Sequence, residues 1–396
     1  MAAIVPVSAA PLDASECAAP PGLERFHAAI AGIEEGKRSR PLTVLHLGDS
    51  HISLDTFTRG LRKRWHRAFG NAGRGLMPGV PFRYYTPDGF DVGMTGPWQI
   101  FSSLPADATG PFGIQGFRVS GSAPDAVITL TGDKPFSRIT LDMYGGPDTG
   151  AVLLALDDAA ALKLQTRLPE PGFLRLSVPA AASRAVLRPA GTGPVHLLGW
   201  AAETAAGGRP GVRYDSYGVV AARASITAGW DAATVRAQIA AMKPDLVILG
   251  YGTNEGFRNV LDTDEYRRLL EGFTGLIKTA APEASLAFLG PFDGARRGTG
   301  EPCGGGWSTP PKLAAVRDVL RELARSEKAF FWDGAAAMGG RCSADEWARR
   351  EPPFMYADRV HLRRQGADRL SEALWGELMT NPDTEAGCAA GAPAGP

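Results

Sequence analysis

Residues 41–51 read Pro-Leu-Thr-Val-Leu-His-Leu-Gly-Asp-Ser-His. The run Pro41 to Leu47 is short and almost wholly apolar, and it ends abruptly in Gly48-Asp49-Ser50. A helical period then follows from Leu54 to Phe69. An apolar run without polar alternation is what a strand buried on both faces looks like, and a tight turn followed by a helix is its usual continuation in a parallel sheet. The same texture returns far downstream. Leu246 to Leu249 precedes Gly-Tyr-Gly-Thr-Asn-Glu, Ser285 to Leu289 follows a helical stretch from Thr263 to Ala280, and Ala329 to Trp332 follows another from Lys312 to Ser326. An amphipathic segment, Arg364 to Met379, closes the pattern. Short buried strands alternating with helices predict an α/β unit, a parallel sheet in three layers (αβα).

Between these parts the helical period disappears. The runs Phe117 to Ser120, Ala126 to Leu130, Arg138 to Tyr144, Ala151 to Leu156, Phe173 to Val178, Arg184 to Arg188 and His196 to Ala201 are short, strand-like and separated by Gly and Pro. Such spacing predicts an antiparallel β-sandwich inserted into the α/β unit. The expected organisation is an N-terminal segment and lead-in helix over 1–40, a discontinuous α/β unit over 41–74 plus 211–382, an insertion over 75–210, and a flexible tail over 383–396.

The chain has 396 residues with 42 basic and 42 acidic side chains, so no net charge draws it to nucleic acid or anionic lipid. It contains no apolar run of about 18 residues, the length a spanning helix needs. Residues 1–21 lack the basic start and apolar core of a signal peptide. The four cysteines allow several pairings; Cys303 with Cys342 and Cys17 with Cys388 is the preferred one, and four free thiols the alternative.

Ser50 ends the first strand of the parallel sheet, where reacting groups collect in this architecture. A serine needs a base to become a nucleophile. Asp358 and His361, three apart on a turn before a helix, can orient so that the carboxylate holds one imidazole nitrogen while the other faces a hydroxyl. Read alone, Ser50 would be a helix cap and Asp-x-x-His a coincidence. Asn254, in Gly252-Thr253-Asn254 after a strand, carries an amide able to donate to an oxyanion, or to cap a helix. Gly218, in Ser216-Tyr217-Gly218, would let a backbone N–H approach a ligand. Asp49, His51, Gly252 and Thr253 are neighbours suited to support or to contact substrate. His46 lies within an apolar strand as a core residue, and His27, His66 and His196 have no evident partners. No Cys/His ligand spacing points to a metal, and no cofactor is expected.

In this order on an α/β pattern, Gly48-Asp49-Ser50, Gly218, Gly252-x-Asn254 and Asp358-x-x-His361 resemble the four blocks of the SGNH (GDSL-like) hydrolases. That resemblance implies a flavodoxin-like αβα fold with Ser50 as nucleophile, His361 as general base and acid, and Asp358 orienting it. It also implies an oxyanion hole from the Ser50 and Gly218 amides and the Asn254 side chain. His-Leu-Gly-Asp-Ser-His-Ile, the stretch Asp55 to Arg62 and the β-rich insertion look like the Ape-type peptidoglycan O-acetylesterases, in which the insertion is jelly-roll-like and similar to a carbohydrate-binding module. Tyr217-Gly218-Val219 departs from the family's usual Gly-x-Asn-Gly surroundings.

The expected function is a serine carbohydrate esterase that removes O-acetyl groups from a glycan, peptidoglycan or another polysaccharide, in the periplasm or outside the cell. Cytoplasmic residence, an acyltransferase or deacylase on another polysaccharide, and an inactive glycan-binding protein are the alternatives. Tyr84, Tyr85, Trp98, Tyr144 and Trp200 are candidates for stacking on sugar rings, against the plainer reading that they fill the core.

Overall fold

The structure is a computed structural model that describes residues 21–82 and 87–380. The chain opens with α1 (Glu24–Glu34), β1 (Leu42–Gly48), the short α2 (Ser50–Ser53) and α3 (Thr56–Phe69). An all-strand stretch follows: β2 (Gly73–Met77), β3 (Phe90–Thr95), β4 (Gln99–Ser102), β5 (Phe117–Gly121), β6 (Val127–Gly145), β7 (Ala151–Leu156), β8 (Leu162–Gln165), β9 (Gly172–Pro189) and β10 (Val195–Glu203). The α/β texture then resumes with β11 (Val212–Gly218), α4 (Ala232–Met242), β12 (Leu246–Gly250), α5 (Thr253–Gly256), α6 (Thr263–Ala280) and β13 (Ser285–Gly290). A small three-stranded hairpin sheet, β14 (Arg296–Arg297), β15 (Pro302–Gly304) and β16 (Trp307–Ser308), precedes α7 (Leu313–Glu327) and β17 (Phe330–Asp333). The last elements are α8 (Gly334–Met338), α9 (Ser343–Arg349) and α10 (Arg364–Met379).

The parallel sheet has the order β11-β1-β12-β13-β17. This is the doubly wound order of flavodoxin-like folds, in which ligands bind beyond the carboxyl ends of the strands beside the first one. Every residue of β1 is buried, and the alternation along the strands sorts them between two cores. Leu42, Val44, Leu246, Ile248, Ala287 and Leu289 face α1, α3 and α10, whereas Leu45, Leu47, Val247, Leu249, Leu286 and Phe288 face α4, α6 and α7. That two-sided burial is why these strands carry no polar alternation in the sequence.

Helix α3 buries Phe57, Leu61, Trp65 and Phe69, one residue per turn along a single face, against Leu370, Leu374 and Leu378 of α10. It stops at Gly70, whose φ of 96° no L side chain adopts comfortably. The two helices approach so closely at Gly60 that a Cβ there would lie 2.1 Å from Ser371 Oγ. Truncating a buried aromatic such as Trp65 to Ala would cost about 3–5 kcal/mol.

Among the described residues the β-rich region is antiparallel, and nine strands join in one hydrogen-bonded sheet around its own core of Ile128, Leu130, Leu141, Leu154, Leu187, Leu197 and Trp200. The runs separated in the sequence at Gly132-Asp-Lys-Pro135 and Pro179-Ala-Ala-Ala-Ser183 are not separate strands. β6 and β9 each continue across the interruption and remain paired, with the register shifting between Thr131 and Phe136 and between Phe136 and Arg138. Those Gly and Pro residues mark bulges inside a ladder, not turns.

The β-rich sheet is fastened to the α/β unit through polar groups. Gln238 of α4 donates to Asp142 of β6 at 3.1 Å and accepts from the Ile114 amide at 2.9 Å. Asp215 of β11 accepts from the Leu76 amide at 2.7 Å and pairs with Arg213 at 2.8 Å. Asp55 carries the same role for the Asp55–Arg62 stretch: its buried carboxylate takes Arg62 Nη2 at 2.6 Å and the Asp88 amide at 2.9 Å. Burial would raise the Asp55 carboxyl, but Arg62 and Arg74 hold it below its ordinary value.

Candidate active site

Ser50 is the first residue of α2, directly beyond β1. Asp49 caps that helix by accepting the His51 amide at 3.0 Å. As the leading residue of a helix, Ser50 has an amide without an intrahelical acceptor. Its Oγ lies 3.1 Å from His361 Nε2, and His361 Nδ1 lies 2.8 Å from Asp358 Oδ2. The other oxygen of Asp358 accepts the Val360 and His361 amides at 2.9 and 3.1 Å. Partial burial works to raise this carboxyl; the bonds from the His361 ring and the two amides prevail and bring it down to about 2. Residues 311 positions apart in the chain thus form a hydroxyl–imidazole–carboxylate relay.

The turn that bears Asp358 and His361 is secured from several sides. The Tyr356 amide donates to the His361 carbonyl at 2.9 Å, and the Ala295 amide donates to the Arg359 carbonyl at 3.0 Å. Arg359 adopts a left-handed φ of 56°. Its guanidinium pairs with Asp345 at 3.2 Å and stacks 4.2 Å from the ring of Trp307, whose indole also carries Arg297 at 4.3 Å. Trp307 belongs to the hairpin sheet that the Cys303–Cys342 disulfide ties to the start of α9. The sequence reading missed this brace, because Trp307 sits in a Gly-rich stretch with no period. Cys17 and Cys388 lie outside the described residues.

The His51 ring lies 5.5 Å from that of His361, tilted by 34°, and is buried, with Asp49 Oδ1 3.2 Å from its Nδ1 and the Val360 carbonyl 2.9 Å from its Nε2. Thr253 Oγ1 lies 3.4 Å from the same Nδ1. Burial presses His51 towards neutrality, but its bonds to Asp49 and to Val360 raise it above its ordinary value; Asp49, equally buried, is held low by His51.

Asn254 donates from Nδ2 to the Ala222 carbonyl at 2.8 Å, leaving its second amide hydrogen free of that bond. The adjacent Glu255 accepts the Ala224 amide at 2.6 Å. Together they hold the loop that follows β11. Within it Val220 faces the Ser50 cavity and Ala221 is left-handed at φ 62°. Gly218 sits elsewhere than the expected donor position. The Val219 amide donates to Gly48 and the Gly211 carbonyl accepts from Leu42, so odd-numbered residues of β11 turn their peptide groups to β1. Val212 bonds to Gly70 and Ala72 on the opposite side, and Gly218, in phase with it, directs its amide the same way, away from Ser50. Its lack of a side chain serves packing instead: a Cβ would lie 2.2 Å from the Asp49 carbonyl. Gly252, at φ 138°, likewise leaves room for Val316 and Tyr266.

The remaining histidines are structural. His46 Nδ1 meets the Tyr214 hydroxyl at 2.8 Å, and burial lowers it to about 3. His27 binds the Leu378 carbonyl at 2.9 Å, and His196 binds Ser120 at 2.8 Å. Burial, reinforced by Arg62, lowers His66 to about 4. Among the described residues no His, Cys, Asp and Glu cluster could hold a metal ion, and no helix is long and apolar enough to cross a membrane.

A cavity of about 420 Å³ opens at Ser50, lined by Leu54, Thr56, Val220, Tyr356, Asp358, His361 and Leu362. Tyr356 is 49% exposed there, although the sequence reading passed over it. Trp200 is fully buried and donates to the Pro78 carbonyl at 2.8 Å, which makes it a core residue. Trp98 and Tyr144 are half-buried, and Tyr84 and Tyr85 lie outside the described residues.

The GDSL-like lipase/acylhydrolase family profile matches residues 190–369. A solved peptidoglycan O-acetylesterase, captured in action, superposes with a TM-score of 0.74 at 24% identity, covering 92% of this chain and 96% of that one. A family two carbohydrate esterase from Clostridium thermocellum gives 0.32 at 10% identity over 72% and 99%, and a carbohydrate acetylesterase from Sinorhizobium meliloti gives 0.30 at 18% over 42% and 78%. No curated protein matches. The fold is that of the SGNH hydrolases, and residues 190–369 are similar to the GDSL-like lipase/acylhydrolase family. The chain is a carboxylic ester hydrolase, an acylesterase built as a parallel sheet with a separate antiparallel region.

Proposed function

We propose that this esterase removes O-acetyl groups from a glycan, with peptidoglycan the first substrate to test, by way of an acyl-enzyme on Ser50. The observation that carries the reading is the relay Ser50–His361–Asp358 at 3.1 and 2.8 Å, opening on a cavity wide enough for an acetylated sugar. His361 Nε2 takes the Ser50 proton as Oγ attacks the acetyl carbonyl, while Asp358 holds the opposite nitrogen and balances the imidazolium. The oxyanion is held by the Ser50 amide, the free hydrogen of Asn254 and, in place of Gly218, an amide of Val220 or Ala221, the two residues between the already bonded Val219 and Ala222 amides. Each such donor is worth about 3–4 kcal/mol of barrier. His361 then protonates the departing sugar hydroxyl, and water repeats the sequence on the acyl-enzyme.

Two features favour a glycan over a lipid. The exposed Tyr356 lines the cavity beside the nucleophile, with the Arg363 guanidinium 4.9 Å over its ring, and the ring face opposite a cation packs well against a sugar ring. Its own hydroxyl has no partner among the described residues. The peptidoglycan O-acetylesterase also shares the architecture over nearly its whole length. The Cys303–Cys342 disulfide favours an oxidising compartment such as the periplasm. The test is acetate release from O-acetylated peptidoglycan beside acetylated xylan, with Ser50→Ala as control. Equal release from Ser50→Ala would sink the nucleophile assignment, and release from xylan alone would sink the peptidoglycan assignment.

A further inference from the structure

Beneath the Ser50–His361–Asp358 relay lies a second imidazole and carboxylate that the proposed reaction does not use. His51 is 6% exposed and Asp49 1%. Both ring nitrogens of His51 face acceptors: Asp49 Oδ1 at 3.2 Å from Nδ1 and the Val360 carbonyl at 2.9 Å from Nε2. A neutral imidazole carries one N–H and can satisfy only one of them, whereas an imidazolium satisfies both. The competing arrangement, with the Thr253 hydroxyl donating to a bare Nδ1, would set that lone pair against the Asp49 oxygen; Thr253 is also the more distant, at 3.4 Å.

The other charged or titratable groups around the ring do not change this balance of sign. Asp358 adds a second negative charge from the turn opposite, and Glu255 lies farther off beside Asp49. Among the described residues the remaining walls bring the ring edge of Phe292 at 5.0 Å, other apolar side chains and Tyr251, which burial keeps neutral. His361 shares the site at 5.5 Å.

We propose that His51 is a positioning residue, an imidazolium clamped between Asp49 and the Val360 carbonyl, which fixes the turn that presents His361 to Ser50. Val360 stands between Asp358 and His361, and the turn passes through the left-handed Arg359. Among the described residues its carbonyl has this one side-chain donor. Without the donor, a half-buried carbonyl loses its partner, and the turn relieves that cost by rotating, which carries His361 Nε2 off the Ser50 hydroxyl. The inference rests on the relay described above, but its first test does not depend on turnover.

That test is ¹⁵N-edited NMR of the ring nitrogens in the intact protein near neutral pH. Two ring N–H protons belonging to one histidine, both absent from His51→Leu, are expected; a single ring N–H for His51 would overturn the imidazolium. The second is steady-state kinetics on p-nitrophenyl acetate. His51→Leu should lose about 10- to 100-fold in kcat, the worth of one hydrogen bond to a charged donor, with KM within about twofold. His51→Gln, which keeps a donor able to reach Val360, should recover most of that loss. Unchanged kcat in His51→Leu, or equal losses in both variants, would overturn the positioning role. Activity surviving in Ser50→Ala would instead remove the nucleophile while leaving the ring N–H result intact.

Discussion

Asp358 and His361 are joined twice: the carboxylate meets the ring at 2.8 Å through one oxygen and the amide of the same residue at 3.1 Å through the other. This double grip selects the tautomer that leaves Nε2 free to accept from Ser50. Asp358→Asn is therefore expected to lower kcat by about four orders of magnitude while the fold survives, as replacing the corresponding carboxylate does in other serine hydrolases. The carboxyl titrates at about 2 against an ordinary 3.8, so the stability it contributes is present above about 4 and is lost as pH falls through 2. The acid limb of the wild-type pH–rate profile should accordingly have its midpoint well above 2; a midpoint near 2 would mean that Asp358 governs it.

Gly218→Ala tests packing against donation. The new Cβ would lie 2.2 Å from the Asp49 carbonyl and 2.4 Å from the Ser53 amide, both backbone atoms of the short turn that bears Ser50. Neither can yield without moving the nucleophile. Destabilisation of about 1–3 kcal/mol and a loss of most of the turnover are expected, although alanine keeps the amide. Wild-type melting and turnover in this variant would show that β11 does not press on α2.

Glu255 is 3% exposed, and burial raises its carboxyl to about 7 against the pull of the Ala224 amide. A folded-state value above the ordinary 4.5 means that its stabilising contribution is complete below about 4.5 and disappears as pH rises through 7. Glu255→Gln keeps an acceptor for Ala224 and has no proton to lose. Its melting temperature should fall less than the wild type's between these two pH values, as thermal unfolding at a series of pH values would reveal; parallel curves would contradict the assignment.

The Cys303–Cys342 bond closes a loop of 39 residues. Loop entropy alone assigns it about 4 kcal/mol. Cys303→Ser with Cys342→Ser should lower stability in urea by up to that amount. Because Trp307 on the tied hairpin stacks on Arg359, kcat should fall as well, by less than about tenfold. Loss of stability with no change in kcat would detach the hairpin from the catalytic turn.

Much of this arrangement was legible in the residues. Strands buried on both faces announce themselves as unbroken apolar runs, and Ser50, Asn254 and Asp358-x-x-His361 stand just where such runs end. Other features had no such signal. The bulges in β6 and β9 read as turns because Gly and Pro punctuate both. Gly218 looked like an amide donor, since the direction of a peptide group depends on pairing with Gly48 on one side and with Gly70 and Ala72 on the other, which no local pattern encodes. Tyr356 earned notice only when its exposure beside Ser50 was visible, and Trp307 acts through Arg359, more than fifty positions away.

Strand β1 has no neighbour close in sequence. Leu42 pairs with Val212 on one side, and Val44 with Leu246 on the other. During synthesis the segment that ends in Ser50 must wait for some 170 further residues before either edge can be covered. Until then it is an exposed apolar strand with two open rows of hydrogen-bonding groups, the form most prone to pair with another chain. Folding of such a sheet is governed by long-range closure and should be slow. The antiparallel region, complete before β11 emerges, is then the assembly jig of the nascent protein: by drawing Gly73–Met77 against Val195–Glu203 it brings the two distant edges within reach of each other.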